Sequence, residues 1–124
     1  MKAYATADEY KAYSGASDVP AGFDRQALRA SELLDSVVTM PFDIDATDGL
    51  PTGYITVQGV TVTIASVMSD ACCAQIEFWN EVGEANDLDG LAGTKVSVGA
   101  YNGTRPSTLA PRAARILKNA GMIQ

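Results

Sequence analysis

This sequence reads as a mainly helical protein with a small β component. Apolar residues recur at helical spacing in segments around 24–38, 66–82 and 110–120, whereas only two short stretches, 60–64 and 95–101, alternate with the period of a strand. The composition of the 124 residues, 47% hydrophobic, 19% charged and 7% aromatic, is that of a globular chain. No repeat, low-complexity tract or linker divides it, so residues 1–124 are expected to form a single domain.

Taken in order, Thr6-Ala-Asp-Glu9 has capping-box spacing and predicts a short helix to about Tyr13, before Ser14-Gly15. Pro20-Ala-Gly22 then interrupts the chain, and Asp24 is the expected N-cap of a helix to about Val38. Its apolar face is Ala27, Ala30, Leu34, Val37 and Val38, and its polar face is Arg25, Arg29, Glu32, Asp35 and Ser36. Residues 40–53, with two prolines, two glycines and three aspartates, read as a loop. Val60, Val62 and Ile64 alternate with Thr61 and Thr63 as in a half-buried strand, with Gln58-Gly59 as a turn or bulge before it.

The clearest element begins at Ser66. Val67, Met68, Ala71, Cys72, Gln75, Ile76, Phe78, Trp79 and Val82 fill one side of a helical wheel, Ser69, Asp70, Glu77, Asn80 and Glu81 the other, and Gly83 supplies the stop. Gln75 is a polar side chain inside the apolar arc. It is expected either to bond to a neighbouring backbone or to face another subunit, because a buried amide left unpaired costs about 1–3 kcal/mol. Residues 84–93 read as an acidic loop, 95–101 as a second strand and Asn102-Gly103 as a turn. A last helix starts at Thr108 or Ala110 and runs to about Asn119, with Pro111 in its first turn and a Schellman ending at Gly121-Met122. Ala113, Ile116, Leu117 and Ala120 form its apolar face. The expected core is therefore Leu34, Val37, Cys72, Ile76, Phe78, Trp79, Ile116 and Leu117.

Charge is segregated along the chain. All fifteen acids lie at or before Asp89, where only four bases accompany them, and residues 90–124 carry five bases and no acid. The net charge of −6 and a pI near 4.4 disfavour a dedicated nucleic-acid binder. Two electrostatic ends suit contact with copies of the same chain or with an acidic partner. The sharpest basic feature is the stripe Arg112, Arg115 and Lys118 at i, i+3, i+6. It reads either as a solvated face that complements the helix C-terminus or as a docking surface for an acidic protein, with phosphate contact a lesser alternative.

The residues offer little for catalysis. There is no histidine, which removes the commonest general base and zinc ligand and every Ser-His or Cys-His pair. Cys72 and Cys73 are adjacent, cannot join distant segments, and read as packing residues with raised thiol pKa values; a disulfide between them would be strained. Asp43-Ile-Asp45-Ala-Thr-Asp48-Gly49 approaches a calcium loop, but its third acid is sixth and position twelve is Tyr54, so it reads as a solvated turn and no metal is expected. Asn102-Gly-Thr104 and Gly90-Leu-Ala-Gly93-Thr-Lys95 are rejected as a glycosylation site and a phosphate loop. The expectation is no enzyme and no cofactor. The first residues lack the apolar core of a signal peptide and no window approaches a membrane span, which predicts synthesis in a cytoplasm and no membrane contact.

Three stretches in order, Ala27-Leu-Arg-Ala-Ser-Glu-Leu-Leu-Asp35, Asp70-Ala-Cys-Cys-Ala-Gln-Ile-Glu-Phe-Trp79 and Leu109-Ala-Pro-Arg-Ala-Ala-Arg-Ile-Leu-Lys-Asn-Ala-Gly-Met-Ile123, with the Gly-Ala-Tyr101 strand before the third, resemble the head-to-tail connector (adaptor, or head completion) proteins of long-tailed bacteriophages, particularly those of actinobacteria. The Thr/Val-rich residues 54–64 depart from that pattern, standing where a shorter acidic connection is expected. The resemblance implies a bundle of three to four helices with a β-hairpin or extended loop, assembled in the virion neck as a homo-oligomeric ring of twelve copies. Such a ring would sit beneath the portal protein and above a tail-proximal connector or stopper protein, and packaged DNA would pass through it without sequence-specific binding. It also implies that the segment from Leu109 onward docks the portal. The expected partner contacts are Arg112, Arg115, Lys118, Met122, Ile123 and Gln124, with Lys95 and Arg105. From another class, a small DNA-binding regulator using the last basic helix is the alternative.

Overall fold

The structure is a computed structural model, and it describes residues 3–82 and 109–123. Among them are four helices, α1 (Ala7–Ser14), α2 (Phe23–Val37), α3 (Ile64–Val82) and α4 (Pro111–Asn119), and one antiparallel hairpin of β1 (Tyr54–Val57) and β2 (Val60–Thr63). The mainly helical class with a small β component is what the sequence predicts. The expected acidic loop, second strand, Asn102-Gly103 turn and Gly83 stop all lie outside the described residues.

α3 is the central element, packed against α1, α2, α4 and β2. Its first turn grows directly out of β2. The Thr63 hydroxyl accepts from the Ser66 amide at 3.1 Å while the Ser66 hydroxyl donates to the Thr63 carbonyl at 2.8 Å, and the Ile64 amide bonds to Gly53. The helix thus begins at Ile64, and the expected last strand residue is the first helical one. Burial also extends beyond the predicted arc. Ser69 and Cys73, which the wheel sets outside it, are buried because α1 packs on that flank as well, and Ala74, at its other edge, is buried beside α4.

α1 has the predicted capping box: Thr6 accepts from the Glu9 amide, and the Glu9 carboxylate accepts from the Thr6 amide. α2 begins two residues earlier than expected, with Gly22 rather than Asp24 at the N-cap. Phe23 is buried against Tyr10, with ring centroids 5.4 Å apart at 60°, and that packing draws it into the helix. Asp24 stands in the first turn, where a carboxylate meets the positive end of the helix dipole. The polar face of α2 is exposed as predicted, and Asp35 accepts a 2.5 Å bond from the Tyr4 hydroxyl.

Of the predicted core, Leu34, Cys72, Ile76, Trp79 and Leu117 are fully buried. Val37, Phe78 and Ile116 are only half-buried and pack against the cluster from its edge. Ser31 ties the segment before α1 to α2: its hydroxyl accepts from the Tyr4 amide at 2.9 Å and donates to the Ala27 carbonyl at 2.7 Å, with the Cys72 sulfur 3.8 Å away.

The hairpin differs most from expectation. Its register pairs Tyr54 with Thr63 and Val57 with Val60 across a two-residue turn at Gln58-Gly59. Both turn residues have positive φ, 52° and 84°, the type I′ geometry that matches the twist of the flanking strands. β2 is not the half-buried strand that its alternation suggests. Val60, beside the turn, is 60% exposed although Val62 on the same face is half-buried, and Tyr54, 73% exposed, lies on the opposite face with Thr56, Thr61 and Thr63.

Candidate functional site

The candidate surface is the outer face of α4, and its position follows from how the sequence seats that helix. Ala113 and Leu117 are buried against α3, and Pro111 occupies the first turn, where no amide is required. Ala110, the N-cap, has no capping side chain. Its amide instead donates to the Gln75 side-chain carbonyl at 2.7 Å, inside the core. The anomalous polar residue of α3 thus serves a backbone partner within its own subunit. Gln75→Leu is expected to cost about 1–3 kcal/mol by leaving that amide buried and unpaired, read as a lowered urea midpoint. An unchanged midpoint would mean that the bond contributes nothing to seating α4.

The C-terminal end of α4 is the Schellman motif predicted from Gly121-Met122. Gly121 has φ 75°, its amide bonds to Lys118 and the Met122 amide to Leu117. The Met122 carbonyl then accepts from the Thr39 and Met40 amides at 2.9 and 3.4 Å, and the Met122 side chain is fully buried. This corrects the expectation that Met122 contacts a partner: the motif turns it inward, and it belongs to the core. Ile123 is half-buried, whereas Gln124, Lys95 and Arg105 lie outside the described residues.

Arg112, Arg115 and Lys118 are all exposed, but they are not equivalent in what they touch. Arg112 reaches back across to α3, 3.4 Å from the Glu77 carboxylate, and lies beside the Tyr13 hydroxyl of α1, which holds its guanidinium in the charged form. Arg115 shares with Phe78 and Glu81 an open groove of about 390 Å³ between α3 and α4. Lys118 stands in the last turn, where a cation complements the helix C-terminus. The outward basic face is accordingly centred on Arg115 and Lys118. Glu77 was legible as an outward residue of α3, but nothing in the sequence brings Tyr13 to Arg112.

The remaining candidate chemistries resolve into structure. Burial pushes the thiols of Cys72 and Cys73 up to about 11 and about 12, only partly offset at Cys72 by its contact with Ser31, and both are free cysteines. The Asp45 and Asp48 carboxylates accept from the Thr47 and Leu50 amides at 2.6 and 2.9 Å, capping their own turn, which an isolated bridge between Ile44 and Pro51 closes. Among the described residues no group of three or more His, Cys, Asp or Glu side chains could hold a metal ion, and no helix is long and apolar enough to cross a membrane. The exposed hairpin is a surface feature that helical and strand periodicity do not reveal. A signal for it exists in the sequence, since no charged residue occurs from Gly49 to Ser69. No family model, curated protein or solved structure matches the chain.

Proposed function

We propose that this chain is the subunit of a ring-forming head-to-tail connector of a long-tailed bacteriophage, made in the bacterial host cytoplasm and incorporated into the virion neck. In this reading twelve copies form a ring between the portal and the tail-proximal connector or stopper protein and extend the DNA channel. The observation that carries it is the basic outer face of α4, with Arg115 and Lys118 outward, on a subunit whose acids all precede Gly90. In a closed ring each copy offers two different flanks to its neighbours, and opposite charges on those flanks favour one register. The ordered likeness of the three stretches to connector sequences supports the same assignment, and α4 is the portal-docking element.

Purified chain mixed with the portal protein of the same phage should form a ring complex, visible by electron microscopy, that weakens as salt rises. Arg115→Glu with Lys118→Glu should abolish the complex at low salt while leaving the circular dichroism spectrum unchanged, because neither side chain belongs to the buried core. Undiminished portal binding by that variant would refute docking through α4. Salt-dependent, sequence-selective binding to free duplex DNA would instead identify the regulator.

A further inference from the structure

Among the described residues the hairpin has two open edges, since β1 and β2 form a two-stranded sheet with no third strand. Its two-residue turn closes on the hydrogen-bonded pair Val57 and Val60. The amides and carbonyls of Tyr54 and Thr56 therefore point out from one edge, and the amide and carbonyl of Thr61 with the amide of Thr63 from the other, the Thr63 carbonyl being taken by the Ser66 hydroxyl. Exposed edges are normally protected by charge, proline or a bulge. Residues 54–63 carry no charge and no proline, and the pairing runs without a bulge. One face of the hairpin is Ile55, Val57, Val60 and Val62, a wholly aliphatic set that the bundle covers only in part.

We propose that this hairpin is the seam between neighbouring copies, the β2 edge of one pairing with the β1 edge of the next. The proposal rests on the ring reading and deepens it. Three features make a second copy of this chain the occupant. In a rotationally symmetric ring every β1 runs in the same sense, so β2 of one copy meets β1 of the next antiparallel and continues the sheet. The two strands are of equal length, four residues each, so the edges match without overhang. The chain carries a net −6, yet both edges are neutral, so copies can approach along them without like-charge repulsion. The contact is heterologous, and closure of the rotation turns it into a ring.

The test mixes full-length Thr56→Cys protein with Thr61→Cys or Thr63→Cys protein, under conditions where the wild type assembles, followed by mild oxidation. The native cysteines are buried and do not compete. The expected product is a mixed disulfide dimer in excess over either homodimer. Thr61→Lys is expected to weaken self-association about tenfold or more, with an unchanged melting temperature. A ring that forms normally with Thr61→Lys and gives no mixed cross-link overturns the seam and leaves the ring reading standing. Homodimers of Thr56→Cys alone would identify a two-fold pair and overturn it as well. Slow amide exchange at Thr56 and Thr61 in the dilute monomer would mean that its own chain already covers the edges, which would likewise overturn the seam. Wild type that fails to self-associate, alone and with portal, overturns both readings.

Discussion

Replacing Trp79 with alanine is expected to remove about 3–5 kcal/mol of folding stability, a large part of the roughly 5–15 kcal/mol by which a domain of this size is held folded. Trp79 is 2% exposed and lies on the helix against which every other helix packs, so the space it vacates cannot be filled by the movement of one neighbour. Urea denaturation followed by circular dichroism should show a midpoint lowered severalfold, or a chain already unfolded without denaturant. Phe78→Ala is the internal comparison. Its side chain is only half-buried, at the mouth of the groove beside Arg115, and its loss should cost clearly less. Equal losses from the two variants would contradict the placement of Trp79 at the centre and Phe78 at the rim.

The second large effect is alkaline. The Cys72 and Cys73 thiols have folded pKa values of about 11 and about 12 against the ordinary 9.0, raised above all by burial, and burial together with the bond to Asp35 raises Tyr4 too. A group raised in the folded state contributes its full share of stability while it is protonated in both states. As pH passes about 9 the unfolded chain releases its thiol protons first. Stability should then fall on the order of 1.4 kcal/mol per pH unit for each thiol, until the folded protein ionises as well near 11 to 12. Urea midpoints should hold steady up to about pH 9 and drop steeply beyond it, and Cys73→Ala should reduce the slope by one proton. A flat profile would mean that the thiols ionise without unfolding the protein.

Local rules carried the helices. The capping box of α1, the stop at Gly121 and the apolar faces of α2 and α4 are decided within a turn or two of chain, so spacing alone exposed them. Where the sequence misled, a distant contact decided. Phe23 enters α2 because Tyr10 is waiting for it, and Ser69 is buried because α1 lies across it. β2 alternates like a half-buried strand yet stands largely in solvent, since alternation reports a two-faced ribbon and not what covers each face. The basic stripe of α4 was legible as a stripe. That Met122 folds inward, and that Arg112 turns back to Glu77, depends on the packing of α4 against α3, which no helical wheel contains.

The clasp of Met122 onto Thr39 and Met40 sets a limit on how quickly this protein can reach its native state. Thr39 and Met122 are 83 positions apart and Gln75 and Ala110 are 35 apart, so two of the attachments that seat α4 require long loops to close. Helical bundles built from neighbouring segments fold fast because their contacts are local, whereas closing a long loop costs entropy before any burial is gained. α1, α2 and α3 can associate early, but the flank of α3 around Gln75 stays wet until α4 arrives. Late docking of α4 is therefore an expected slow step of refolding, in which the unfinished subunit would be exposed to sticking to its neighbours in the wrong way.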